Sequence, residues 1–279
     1  MKKLSIVSAL ILALTFCLCA CGGGKSIRIA VPNDTTNEAR ALLLLEANGI
    51  IKLKEGAGIT ATKNDIAENP FNVEIVEAEA AQLPNILQDV DYAVINSNYA
   101  IAAGLNPVKD SLLIEGSYSA YNNILCVKEG NEDSAKTKAL VAALNSEAVR
   151  DFIEEKYGGQ VVCVLSNPGS GFDDSLDYSS IGSISVAASP TPHAEILAVA
   201  AELLAQKGVT LNIQEFSDYV VPNSVVEDGS VDANFFQHLP YLNDFNAEKG
   251  THIVAVLDIH VEPMGLYGGR QADLKAISK

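Results

Sequence analysis

Apolar positions along the chain alternate between short, nearly continuous runs and longer helical periodicities. Ile27 to Val31 predicts a strand, Pro32-Asn33-Asp34 a turn, and Thr35 or Thr36 an N-cap for an apolar helix running to Asn48-Gly49. Val73 to Val76 predicts a second strand, Ala80 to Leu87 a helical stretch, and Asp91 to Ile95 a buried strand stopping at Asn96-Ser97-Asn98. That is a βαβαβ unit. The plan then repeats. Ile184 to Ala188 predicts a strand, Ser189-Pro190-Thr191-Pro192 a turn, and His193 to Lys207 a helix stopped by Gly208. Leu211 to Phe216 is the next strand, a helix follows Pro222, and a turn at Asp228-Gly229 delivers Val231 to Phe236, the counterpart of Asp91 to Asn96. Between and after the copies, Ala120 to Val127 and Thr251 to Ile259 predict further strands, and Ser134 to Tyr157 one or two amphipathic helices. The expected fold is α/β, with two lobes. Open α/β sheets take ligands beyond the carboxyl ends of their strands, so two facing lobes make a cleft.

The first residues are not part of that pattern. Lys2 and Lys3 precede an apolar run, Leu4 to Phe16, too short to span a bilayer comfortably, as in an export signal. Leu18-Cys19-Ala20-Cys21-Gly22 resembles a lipobox, in which Cys21 is lipidated, residues 1–20 are removed and 21–26 form a tether. An ordinary secretory signal is the plainer alternative. The formal net charge is −16, and removal of Lys2 and Lys3 with the signal takes it to about −18, which excludes nucleic acid as a partner. Of the cysteines only Cys126 and Cys163 then remain; their spacing suggests no zinc site or disulfide framework, and a bridge between them is the lesser reading. No later segment is apolar for long enough to cross a membrane.

Several motifs carry a resemblance: Pro32 to Lys54, DVDYAVINSNYAIAAGLNP ending at Pro107, SPTPHAEIL from Ser189, DANFFQHLPYLNDFNAEKG from Asp232 and HVEPMGLYGG from His260. Together they resemble the methionine-binding lipoproteins of ABC importers, the NlpA or MetQ type. The resemblance implies a periplasmic-binding-protein-like fold of type II and no cofactor. Its implied partners are L-methionine or a related amino acid or methionyl dipeptide, an ABC permease with its ATPase, and the extracytoplasmic face of the cell membrane through a lipid on Cys21. It also implies a monomer and no catalytic activity.

The motifs stand in exchanged order, because in that family the half from SPTPH to EPMGLY comes first. The sequence therefore reads as a circular permutation, in which the Gly-, Ser- and Asp-rich stretch 166–183 joins the family's usual termini. Expected lobes are 27–107 and 108–279. One inter-lobe crossing is expected near Leu105 to Ser111 and the other at the cut between Lys279 and Lys25, so that one covalent hinge strand is broken and closure weakened.

A zwitterionic ligand needs donors for its carboxylate, acceptors for its ammonium and an apolar slot. Arg40, in an Ala- and Leu-rich helix, offers a bidentate fork, and the resemblance implies that it holds the carboxylate. Asn37 lies one turn earlier, and Asn96 and Asn98 end the third strand of the same lobe. From the other lobe Tyr219, Phe235, Phe236, His238 and Tyr241 form an aromatic set suited to a thioether, with strand alternation sending one of the two Phe into the core. Asn234, Glu262 and Tyr267 are weaker candidates. Three rival readings stand beside this. One is a metal-binding transport lipoprotein using His193, His238, His252, His260 and Glu262, whose spacings fit no compact motif. Another is an enzyme with Cys126 or a serine as nucleophile, without a Gly-x-Ser-x-Gly elbow, P-loop or His-Glu-x-x-His helix. The last is a surface lipoprotein with no transport role.

Overall fold

The computed structural model describes residues 26–116 and 121–278. Cys21, the signal and all of the tether but Ser26 lie outside them. In chain order the first strands and helices are β1 (Ile27–Pro32), α1 (Thr35–Ala47), β2 (Lys52–Leu53), β3 (Ile66–Glu68), β4 (Val73–Ala78), α2 (Leu83–Ile86), β5 (Tyr92–Ile95), α3 (Ser97–Ala102) and β6 (Ser111–Ile114). There follow β7 (Asn122–Lys128), α4 (Ala135–Leu144), α5 (Glu147–Tyr157), β8 (Val162–Cys163), β9 (Ser183–Ala188), α6 (Glu195–Gln206), β10 (Thr210–Glu215) and α7 (Val221–Glu227). The last are β11 (Ala233–His238), α8 (Leu239–Lys249), β12 (Ile253–Val261) and β13 (Gly265–Gly268).

Two sheets form, and they share a plan. The first has the order β4-β1-β5-β13-β6 and the second β10-β9-β11-β7-β12-β8. In each, the first strand of the repeated unit pairs in parallel with the second and third, and the third pairs antiparallel with a strand from elsewhere in the chain. β5 and β11 thus hold the same position, as the repeated pattern predicts. β5 is buried at every residue and β11 likewise, because helices cover both faces of each sheet.

The lobe boundaries differ from the expected ones. β6 and β13 both lie beyond residue 107, yet both join the first sheet, β13 pairing Gly265–Gly268 with Tyr92–Ile95 and also with Ser111–Ile114. The first lobe therefore takes in two pieces of the segment 108–279. A four-residue strand starting and ending in glycine carries too little periodicity to be read as one. The crossings move accordingly. The chain passes from the first sheet to the second after β6 and before β7, rather than near Leu105 to Ser111. It returns at residues 262–264, between β12 and β13, and not at the cut. The two are fastened together, Glu115 N donating to Met264 O at 2.8 Å. The cut expected between Lys279 and Lys25 coincides with neither crossing.

Both ends of the described chain belong to the first lobe: Ile27 packs against the apolar cluster that contains Ile277, and Ile27 N donates to Asn72 O at 3.2 Å. Residues 166–183 pack on the second lobe. Tyr178 and Ile181 enter its core, and Gly169 is held at 2.9 Å both by Glu147 N and to Asn145 O. Gly171 has φ +91° and an added Cβ would lie 2.7 Å from Leu203 Cδ1, so only glycine fits there. Cys126 is buried in β7, Cys163 lies in β8, and both thiols are free. Among the described residues no helix is long and apolar enough to cross a membrane.

Candidate functional site

Between the lobes lies a narrow, largely closed cavity. Asn37, Arg40, Asn96, Ser97 and Asn98 line it from the first lobe, Asn123, His193, Tyr219, Phe236, Gln237, His238 and Tyr241 from the second, with Glu262 on the return crossing. Local structure explains the placing. Asp34, not Thr35 or Thr36, caps α1, and its carboxylate accepts from the backbone N at 3.0 Å and the side-chain Nδ2 at 2.8 Å of Asn37. That orients the Asn37 Oδ1 towards Asn96 Nδ2, at 2.9 Å, and His238 Nε2, at 3.4 Å. Asn96 and Asn98 follow β5 directly, where the chain leaves the sheet at its carboxyl end. On β11, a register shift between Phe235 and Gln237 breaks strict alternation. This bulge turns Phe236, Gln237 and His238, three consecutive residues, to the cavity while Phe235 goes to the core, fully buried.

Arg40 is buried and already paired. Its Nε donates to Glu115 at 2.9 Å, its Nη2 donates to the same carboxylate and to Glu262 O at 2.8 Å, and the guanidinium lies 4.4 Å over the Tyr121 ring. The bidentate edge expected to receive a ligand is thus held by Glu115. Glu262 offers the carboxylate that lines the cavity; burial raises its pKa, while the Arg40 charge and a backbone N–H from Asn98 act the other way. His193, His238 and His260 are driven down to about 3 by burial and so stay neutral. His238 Nδ1 instead accepts from Tyr241 N, capping α8.

The aromatic wall is one assembly. Tyr219 stands 5.9 Å from both Phe236 and Tyr241, and 5.0 Å from Tyr99 of the opposite lobe. Tyr219 Oη donates to Asn98 Oδ1 at 2.7 Å and Tyr99 Oη donates to Ser217 O at 3.0 Å, so the lobes are clasped at this edge.

A family model described as NlpA lipoprotein matches residues 24–165 and 184–279, leaving out the stretch 166–183. The chain belongs to the NlpA lipoprotein family. Among this NlpA-family chain's relatives, membrane lipoprotein TpN32 of Treponema pallidum (strain Nichols) is 49% identical over 138 residues, 49% of this chain and 52% of that protein. The D-methionine-binding lipoprotein MetQ of Escherichia coli (strain K12) is 44% identical over 137 residues, 48% of this chain and 51% of that one. The chain spans about half the length of the curated relatives it matches. A nutrient binding protein from Burkholderia cenocepacia, solved bound to methionine, is 50% identical with a TM-score of 0.47, over 48% of this chain and 57% of that one.

Of the residues singled out in the NlpA-family sequence, Asn37, Arg40, Asn96, Asn98, Tyr219, Phe236, His238, Tyr241 and Glu262 meet at the cavity. Phe235 and Tyr267 are core residues. Asn234 does not line it; its amide donates to Asn223 Oδ1 at 2.8 Å and Pro222 O at 3.1 Å and accepts from Gln237 at 3.0 Å, fixing the bulge from behind. Glu115 stands in no predicted element or motif, and Asn123 and Gln237, though inside a predicted strand and a quoted motif, carry no local signal that turns them to the cavity. The histidines of the metal reading divide. His252 is exposed and pairs with Glu227, and His238 caps a helix, while His193, His260 and Glu262 come within 4.8 Å of one another. Their facing nitrogens are already engaged: His260 Nε2 meets Glu262 Oε1 at 2.7 Å and His193 Nε2 meets Asn123 Oδ1 at 2.9 Å. Metal-bound imidazoles almost always donate their second N–H to an acceptor. Both Nδ1 atoms here are buried without a partner among the described residues, so the cluster fits a hydrogen-bonded floor better than a metal centre.

Proposed function

We propose that this protein is the substrate-binding lipoprotein of an ABC importer, closing on methionine or a closely related amino acid and presenting it to the membrane permease and its ATPase. The observation that carries the reading is the inter-lobe cavity, where Arg40, Asn98 and Glu262 face Phe236, Tyr219 and Tyr241. Amide and guanidinium donors suit a carboxylate, the Glu262 and asparagine oxygens suit an ammonium, and the rings suit a thioether. MetQ's name supports the choice of ligand. Anchoring through a lipid on Cys21 belongs to the same proposal, as does action as a monomer.

We further infer that the two halves stand in exchanged order relative to the family. Support comes from the stretch 166–183, which the family model passes over and which packs on the second lobe, and from the two chain ends sharing one core in the first. Calorimetric titration of the purified protein with L- and D-methionine, with mass spectrometry of any ligand that co-purifies, tests the reading. Binding tighter than about 10 µM is expected, some 7 kcal/mol; no heat at millimolar methionine and an unrelated co-purified molecule would overturn it.

A further inference from the structure

Arg40 brings one positive charge to the cavity and Glu115 cancels it. The Glu115 carboxylate takes the Nε edge of the guanidinium at 2.9 Å with both oxygens, and it also accepts from Met264 N at 3.1 Å. Arg40 lines the cavity while Glu115 does not, so the neutralising carboxylate stands behind the arginine, between the two lobe crossings. The side chains are 4% and 9% exposed, which leaves water little part in screening the pair. All the remaining polar groups at the cavity surface are neutral amides, hydroxyls and imidazoles or the carboxylate of Glu262. The site consequently has no unbalanced positive charge to offer an anion.

Resting on the amino-acid-binding reading above, we propose that Glu115 is a specificity-determining residue that makes the cavity read a ligand's carboxyl end as a polar group and not as an anion. The ligand class is then wider than free amino acids: molecules with an α-ammonium, an apolar side chain and either a carboxylate or a neutral amide at the carboxyl end all fit. Discrimination then rests on the ammonium end, for which Glu262 is the carboxylate lining the cavity.

The test compares L-methionine with L-methioninamide by calorimetry at about pH 6, where both carry a protonated α-amino group. In the unmodified protein the two dissociation constants are expected to lie within about tenfold of each other. In Glu115→Gln the guanidinium keeps its charge, and the preference for the acid over the amide is expected to rise at least about tenfold. A merely structural role for Glu115 would weaken both ligands alike and leave the ratio unmoved, which would overturn the proposal. Rejection of the amide by more than about tenfold in the unmodified protein would overturn it too, and decides the matter alone should Glu115→Gln not fold. If neither compound binds the unmodified protein, the amino-acid-binding reading itself has failed, and this inference with it.

Discussion

Single residues show how much of the site depends on burial. Arg40→Ala removes the cation and leaves Glu115 buried and uncompensated, so ligand binding should be lost together with about 3–5 kcal/mol of stability. Urea denaturation of that variant, beside Arg40→Met combined with Glu115→Gln, checks it: the double variant should recover part of the stability and none of the binding. The buried imidazoles make a different prediction. His238 has its pKa lowered from 6.5 to about 3 by burial and by Arg40, so the unfolded chain binds a proton there that the folded protein does not. Its contribution is therefore present above pH 6.5 and is lost progressively as the pH falls towards 3. His238→Asn keeps a cap acceptor for α8 and abolishes that titration. Between pH 6.5 and 5 its stability should fall less steeply than that of the unmodified protein, by the equivalent of about one proton, as measured by denaturant midpoints across pH.

Secondary-structure elements set the directions in which those side chains point. The cap of α1 does two things, since the Asp34 carboxylate fixes both the helix start and the Asn37 amide. Asp34→Ala should cost about 1–2 kcal/mol and weaken ligand binding, whereas Asp34→Asn should hold most of both; thermal melts and titrations separate the two. The strands and long helices of both repeated units were legible because each carries its own periodicity and its own stop, as with Asn48-Gly49 and Gly208. The alternation rule rightly parted Phe235 from Phe236 but could not foresee Gln237 at the cavity, because a bulge is a departure from alternation. β6 and β13 escaped for another reason. They are four residues each and owe their place to partners distant in sequence, Tyr92–Ile95 and each other. Glu115 is invisible for the same cause: only the fold brings it to Arg40, 75 positions away.

At the scale of the whole molecule, the position of the two crossings decides what an exchange of halves costs. Because the chain changes lobe between β6 and β7 and again at residues 262–264, the chain ends interrupt neither passage. A relinked chain with residue 279 joined to residue 25 and new ends opened within 166–183 should therefore bind ligand within about threefold of the present one, the lobes being hinged identically. A tenfold difference in calorimetry would mean that the ends in the first lobe disturb closure. The resemblance read from the motifs and the membership found by the family model agree on 24–165 and 184–279, and the structure supplies what neither could, that the intervening stretch is packed and not slack.

The clasp of Tyr219 on Asn98 and of Tyr99 on Ser217 has a kinetic consequence. On the proposed binding role, a captive molecule would depart only after these contacts part, whereas it would enter while they are apart. Trimming the clasp with Tyr219→Phe should therefore shorten residence several-fold and leave the capture rate nearly untouched, a split that stopped-flow fluorescence resolves.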